Sequence, residues 1–296
     1  YLTTSNYVIR KFDVHAQLTD PRDITFNNDG TKMFTNDTTA DDVFEYTLST
    51  PYDISTAVFV HSFSLNEDSS SRPFGVKFNN DGSKMFIAGR AEKKVFEYSL
   101  SRKFDVSSAT YTGNFINVSA QIESTSLFSL VFSPDGTMMF VTENGFGLHQ
   151  YSLNKSFDLS GGANFIRSAA VSTLLNGNVY NGIVFNQSGT RLFMVDSQVN
   201  AVNQYTLSEG FNISTASFDG GVNRSSNPNG IAFSPSGLKM FIVGTDHDQV
   251  KEHHLPCPFN LFAGKCPPIT ENTDRTGIAM AQIEIAKRTI DQSTDT

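Results

Sequence analysis

The stretch from Phe26 to Phe34, FNNDGTKMF, returns four times: FNNDGSKMF (78–86), FSPDGTMMF (132–140), FNQSGTRLF (185–193) and FSPSGLKMF (233–241). Its glycines, Gly30, Gly82, Gly136, Gly189 and Gly237, stand 52, 54, 53 and 48 residues apart. A second phrase follows each copy: VFEYTL (43–48), VFEYSL (95–100), LHQYSL (148–153), VNQYTL (202–207) and VKEHHL (250–255). A third closes the unit, as YDISTAVFVHSF (52–63), FDVSSATYTGNF (104–115), FDLSGGANFIRS (157–168) and FNISTASFDGG (211–221). A fixed period of this size, kept over nearly all of residues 20–262, marks an array of one supersecondary unit.

Each unit reads as a four-stranded antiparallel meander. A short apolar run such as FGVKF (74–78) ends in Asn/Ser-x-Asp/Ser-Gly, the residues a hairpin turn needs, and Met33-Phe34 opens the return strand. In 43–48 the side chains alternate, with Phe44, Tyr46 and Leu48 on one face and Val43, Glu45 and Thr47 on the other. The fourth strand is the segment around 57–63. Four short strands per repeat describe a propeller blade, and five copies make a ring. The fifth copy ends after its third strand at Leu255, while YVIRKF (7–12) stands ahead of the first copy as Val58–Phe63 stands ahead of the second. The N-terminal strand is therefore expected to complete the fifth blade. The fold expected is all-β, a five-bladed β-propeller of four-stranded antiparallel blades over 1–268. A tail over 269–296 follows, in which Ala279, Ile283, Ala286 and Ile290 form one stripe of a short amphipathic helix.

Composition agrees with a packed domain: 39% of residues are hydrophobic and 26 are Phe, too apolar for a disordered chain. The net charge of −8 leaves no basic surface for phosphate backbones or anionic leaflets, so nucleic acid is not an expected partner. No apolar run approaches the roughly 18–20 residues that cross a bilayer, so no membrane insertion is expected within the segment. The chain starts at Tyr1 with no charged and apolar leader, as a processed product or an excerpt would. Cys257 and Cys266 flank a short Pro- and Gly-containing loop that a disulfide can clip; free thiols and a metal site are the alternatives, the x8 gap being a poor zinc spacing. A disulfide favours an extracytoplasmic, secreted or surface-displayed protein.

The phrases FNNDGTKMF (26–34), VFEYSLS (95–101) and YDISTAVFV (52–60) resemble the repeats of surface or secreted propeller proteins of marine bacteria and their phages, and more distantly YVTN/NHL-type β-propellers. The resemblance covers about 85% of the chain and implies blades rather than a ligand, because turn and core residues define those repeats. With no Trp and no Gly-His…Trp-Asp pairing, WD40 blades are not expected.

Internal repetition also sorts the polar residues. Glu45, Glu97, Gln150, Gln204 and Glu252 occupy one strand position and read as hydrogen-bonding blade residues. Asp29, Asp81 and Asp135 beside the turn glycines read as turn formers, since the calcium-loop order is missing. Positions that break the symmetry are better candidates. They gather in the loops leading into the innermost strands and in those joining second to third strands, which share one face around the channel. The ligand candidates there are Asp23, Arg72, Phe74, Arg90, Glu143, Tyr180, Asn181, Asp196, Asn229 and Asp246. Asp37, Glu143, Asp196 and Asp246 would have to converge to supply a glycosidase's acid and base. Asp246, His247, Asp248, His253 and His254 crowd the fifth blade, but His253 fills the Tyr slot of the repeat and reads as a core residue, so no metal is assigned. No Gly-x-Ser-x-Gly elbow and no phosphate-cradling Gly-rich loop occurs, and no cofactor or catalytic residue is assigned. The expectation is a binding or adhesion module for carbohydrate or a protein partner, of undetermined oligomeric state. A hydrolase using channel carboxylates and a surface or phage structural component are the alternatives.

Overall fold

The computed structural model describes residues 8–65, 72–124, 126–143, 147–170, 180–223, 227–245 and 248–262. Twenty strands form five four-stranded antiparallel sheets. The first blade holds β2 (Pro21–Phe26), β3 (Lys32–Asp37), β4 (Asp42–Leu48) and β5 (Ala57–Ser64); the second, β6 (Pro73–Phe78), β7 (Lys84–Gly89), β8 (Lys94–Leu100) and β9 (Ala109–Asn117). The third holds β10 (Leu127–Phe132), β11 (Met138–Glu143), β12 (Gly147–Leu153) and β13 (Ala163–Ala170); the fourth, β14 (Tyr180–Phe185), β15 (Arg191–Asp196), β16 (Ala201–Leu207) and β17 (Ala216–Asn223). The fifth joins β18 (Pro228–Phe233), β19 (Lys239–Gly244) and β20 (Gln249–His254) to β1 (Val8–Asp13), with Arg10 opposite Glu252. The ring is closed by the N-terminal strand, as the repeat phase requires. The tail and its helical stripe lie outside the described residues.

The repeated phrases pack on one another. In FNNDG the Asp29 carboxylate accepts from the Thr31 amide (2.9 Å) and hydroxyl (2.6 Å), and Asp81 and Asp135 bind Ser83 and Thr137 in the same way. The recurring aspartates are turn residues. Gly30 has φ +73°, and a Cβ there would sit 2.2 Å from the ring of Tyr52, the first residue of the closing phrase. Phe104, Phe157 and Phe211 cover Gly82, Gly136 and Gly189 alike, so glycine answers both a left-handed turn and an aromatic lid.

The fifth blade keeps this lid. Phe259 covers Gly237 and donates its N–H to the Gly237 carbonyl at 2.9 Å, as Tyr52 does to Gly30 at 3.0 Å. PFNLF (258–262) is thus a shortened closing phrase placed after the third strand, a feature not expected from the sequence. Cys257 is buried beside it in a bridge to Asn260; Cys266, its expected disulfide partner, lies outside the described residues.

Blades are joined by one aromatic contact used five times: Phe26–Phe241, Phe34–Phe78, Phe86–Phe132, Phe140–Phe185 and Phe193–Phe233, with ring centroids 4.5–4.7 Å apart. The two phenylalanines of each FNNDGTKMF phrase therefore face opposite neighbours, and the Phe-rich composition is spent on inter-blade layers. The recurrent Glu/Gln is the polar counterpart. Glu45 accepts from Val106 N (3.0 Å), Glu97 from Leu159 N (2.8 Å) and Gln204 from Leu261 N (2.8 Å), each latching the closing phrase of the next blade.

Candidate functional site

The innermost strands β2, β6, β10, β14 and β18 touch in a ring and line the channel. Each slips register near its start, between Pro21/Ile24, Pro73/Gly75, Leu127/Ser129, Tyr180/Ile183 and Pro228/Gly230. A bulge of this kind turns one side chain out of the sheet alternation. The register-equivalent residues at that place are Arg22, Phe74, Phe128, Asn181 and Asn229, which gather around the channel mouth on the top face.

One side of this mouth is aromatic and cationic. Phe74 and Phe128 stack with centroids 5.0 Å apart and planes 13° from parallel, and both are buried. The Arg22 and Arg90 guanidinium carbons lie 4.7 and 4.9 Å from the Phe74 centroid, and Arg90 lies 5.5 Å from that of Phe128. Arg72 precedes β6 at φ +63°, is exposed, and accepts the Arg90 N–H at its carbonyl. Burial first, then the charges of Arg72 and Arg22, hold the Arg90 guanidinium below its usual value. The other side is made of amides: Asn181 donates to Asn229 Oδ1 at 2.7 Å, and Asn229 donates to the Pro21 carbonyl at 3.0 Å. Both are buried, so these amides tie neighbouring blades.

The candidate carboxylates are committed to the backbone. Asp37 accepts from Thr19, Asp20, Thr39 and Ala40 N–H groups at 2.6–2.8 Å. Asp196 Oδ1 accepts from Gln198 and Val199 N–H at 3.0 and 3.2 Å, while its Oδ2 has no partner among the described residues. Glu143 accepts from Ser124 N (2.6 Å) and faces His149 Nε2 (2.9 Å). Burial acts to raise the Glu143 carboxyl, but these hydrogen bonds outweigh it and hold the group below its usual range. Asp246 and the Tyr180 side chain lie outside the described residues. Of the ten candidates, the structure brings Arg72, Phe74, Arg90, Asn181 and Asn229 to the mouth and sets Asp23, Glu143 and Asp196 into the framework.

Asp23 lies below the mouth. It is 2% exposed, accepts from Ile24 N (2.8 Å) and Val76 N (3.0 Å), and pairs with Lys77 Nζ. Burial pushes its carboxyl up despite the ammonium beside it. At the equivalent positions Asp23 is replaced by Gly75, Ser129, Gly182 and Gly230, and Lys77 by Thr25, Val131, Val184 and Ala232. The pair is thus peculiar to the junction of the first two blades.

Beyond this pair the channel widens into a cavity of about 460 Å³ at the bottom face, where the FNNDG turns lie. Val131, Val184 and Ala232 give it apolar walls, Lys77 and Thr25 polar ones, and Asn28, Asn186, Gln187 and Ser234 a rim of amides and a hydroxyl. The cavity lies at the opposite end of the channel from the ligand candidates expected from the sequence. Lys77, a lone cation in a Thr/Val/Ala slot, was the available signal.

Two further clusters have the composition of chemical sites. Glu45, His61 and Asp105 place ligand atoms within 4.8 Å of one another. Lys32 already pairs with Glu45 at 2.7 Å, and at the corresponding place in the fifth blade Arg10 joins Glu252 (3.0 Å) to Asp53 (3.2 Å). His61 therefore occupies the position of a clamp cation. Ser168 Oγ, His149 and Glu143 line up at 2.7 and 2.9 Å, the order of a serine relay. Ser168 and His149 are cross-strand neighbours in β13 and β12, outside the channel cavity. The relay satisfies a buried imidazole.

These features define the class of fold: a closed, five-bladed β-propeller of four-stranded blades. No protein-family profile and no curated protein matches the chain. Solved structures match it as folds. The Cps50 (Swd1) β-propeller domain of Myceliophteria thermophila aligns with a TM-score of 0.50 at 10% identity, covering 84% of this chain and 99% of that one. Hydrazine synthase of Kuenenia stuttgartiensis aligns with a TM-score of 0.50 at 12% identity, over 79% and 83% of the respective chains. At such identities the likeness carries the architecture alone, and the finer resemblance to marine bacterial and phage repeats gains no support from it.

Proposed function

We propose that this propeller is a non-enzymatic binding module whose bottom cavity takes a saccharide. The observation that supports this is the cavity itself: about 460 Å³, within the range of small-ligand sites, with apolar walls below a rim of amides and a hydroxyl. Sugars present hydroxyl groups around an apolar C–H face; the exposed Gln187 amide can meet the former and the Val131, Val184 and Ala232 walls the latter, while Asn28, Asn186 and Ser234 also hold the turns through their own hydrogen bonds. The hydrolase alternative is disfavoured by the bonding of Asp37 and Glu143, whose carboxylates are engaged by backbone N–H groups, and by the direction of the Glu143 shift, opposite to that of a general acid.

The test is a glycan-array screen of the wild type beside Val184→Trp, which fills the cavity, and Gln187→Ala, which removes an exposed rim amide. Reducing-end release is measured on every hit. The proposal expects binding without turnover, lost in the first variant and weakened in the second. Binding untouched by both variants, or turnover, overturns it.

On the same reading the protein is extracytoplasmic and Cys257 is bridged to Cys266. In that case neither cysteine is alkylated in the denatured protein until reductant is added. Alkylation of both without reductant removes the bridge and its argument for the compartment.

The structural-component reading has one observation in its favour. Ring closure leaves the outer edge of each blade unpaired, and Phe59, Phe115, Phe165 and Phe218 are exposed there. Self-association in solution would favour it.

A further inference from the structure

We propose that the top face carries an oxyanion-binding site, formed by Arg22, Arg72 and Arg90 and independent of the bottom cavity, that takes a carboxylate, sulfate or phosphate group.

The three arginines come from separate places in the chain: Arg22 from the start of β2, Arg72 from the residue before β6, and Arg90 from the residue after β7. The fold does not require them. Arg22 is replaced by Phe74, Phe128, Asn181 and Asn229 in the other copies, and the Arg90 position carries Thr38, Ser197 and Thr245. The repeat thus tolerates neutral residues at these positions, yet three cations gather about one stacked pair of phenylalanines with Asp20 as the one carboxylate acting on both Arg22 and Arg90 among the described residues, which leaves the cluster net positive. Placing like charges together costs free energy that an anion would recover.

Among the described residues their partners leave donors over. Arg22 pairs with Asp20 at 2.6 Å and donates from Nη1 to Asn229 Oδ1 at 3.5 Å, but its buried Nε has no hydrogen-bond partner among the described residues. Arg90 uses Nε on Ser126 Oγ at 2.9 Å. At Arg72 the backbone N–H is satisfied by Asp41 Oδ1 at 2.7 Å, and the exposed side chain is not needed for that bond. Phe74 fixes the planes of two guanidinium groups from beneath, so the donors are oriented before any ligand arrives. Planar forks of this kind match the oxygen spacing of carboxylate, sulfate and phosphate, which a lysine point charge does not. A purely structural role, with arginines as lids on the Phe pair, accounts for Arg22 and Arg90. It does not account for Arg72.

The experiment titrates sodium sulfate, sodium phosphate and sodium acetate, each at constant ionic strength, into ¹⁵N-labelled protein while the Arg Nε–H resonances are followed. The expected result is saturable shifts of a small set of arginine resonances. Whichever of the three anions saturates at the lowest concentration identifies the chemistry. Arg72→Ala, at an exposed side chain, should weaken binding by about tenfold with the melting temperature unchanged, and Arg90→Lys should weaken it while keeping the charge. Shifts that rise linearly with every anion, or affinities unaltered in both variants, overturn the site. A loss in Arg90→Lys alone removes Arg72 from the site and overturns the three-arginine arrangement. Because the probes are simple anions read at the top face, failure here leaves the saccharide proposal standing, and failure of that proposal leaves this one.

Discussion

The two ends of the channel are built by opposite rules. At the bottom, five turns share one geometry: an Asp- or Ser-flanked glycine at φ +68 to +73° under an aromatic lid, down to Phe259 in the fifth blade. At the top, five register-equivalent positions carry Arg22, Phe74, Phe128, Asn181 and Asn229. Repetition marks what the fold demands, because one backbone environment selects one residue type. Its converse holds only in part. Asn181 and Asn229 depart from the repeat yet are buried blade-to-blade ties, whereas Arg72 departs from it and stays exposed.

The layer between the two ends gives the sharpest way to break the comparison. Lys77→Val installs the residue type of Val131 and Val184, but strands the Asp23 carboxylate without its cation. Breaking a buried pair from one side costs roughly 3–5 kcal/mol, so urea unfolding at neutral pH should show a loss of that order. Adding Asp23→Gly, the residue at three equivalent positions, should recover most of it. Asp23 titrates above its ordinary value of 3.8 in the folded state because it is buried. Its protonated form is therefore favoured by folding below that value, and the benefit disappears as pH rises through the folded value. The Lys77→Val deficit should shrink on acidification, and a deficit independent of pH would mean that the loss comes from packing.

The equivalence of the bottom turns is tested by Phe259→Ala against Phe104→Ala. Both lids are partly buried, so each should cost about 3 kcal/mol, near the lower end for a truncated core Phe, and the two should agree closely in chemical denaturation. A much smaller loss at Phe259 would show that the shortened closing phrase only imitates the others.

Most of the ring was legible in the sequence because its determinants are local and repeated: turn glycines, alternating strands, and paired phenylalanines one phrase apart. The N-terminal strand could be assigned to the fifth blade by phase alone, and His253 to the core by its slot. The fifth lid was missed because Cys257 and Pro258 disguise a Phe-Asn-Leu that keeps only the start of the closing phrase. The site was less legible for a physical reason. Sequence register shows which positions share a level around the channel, but not which end of it is packed shut. Glu143 and Asp196 occur where a ligand contact would, yet the backbone N–H groups they accept are indistinguishable in sequence from solvent-facing ones. Lys77 breaks the repeat from inside a strand, where a departure from the pattern reads as a core substitution and not as a loop contact.

A third kind of position changes its residue and, in three blades, still bridges to the closing phrase of the next blade. Opposite the recurrent Glu/Gln of the third strand stand Arg10, His61 and Arg167 in the fifth, first and third blades. Arg10 joins Glu252 to Asp53, His61 joins Glu45 to Asp105, and Arg167 reaches Asn212 and Ser214 at the closing phrase of the next blade. If the position demands a cation and not an imidazole, His61→Arg should leave stability at neutral pH unchanged or slightly raised. His61→Ala should then lower it by about 0.5–1 kcal/mol, the scale of a half-exposed pair, read from the urea midpoint. Addition of Zn²⁺ should raise the melting temperature of neither the wild type nor His61→Arg. A zinc-dependent rise confined to the wild type would instead make Glu45, His61 and Asp105 a metal site, and would separate the first blade from the fifth in function as well as in sequence.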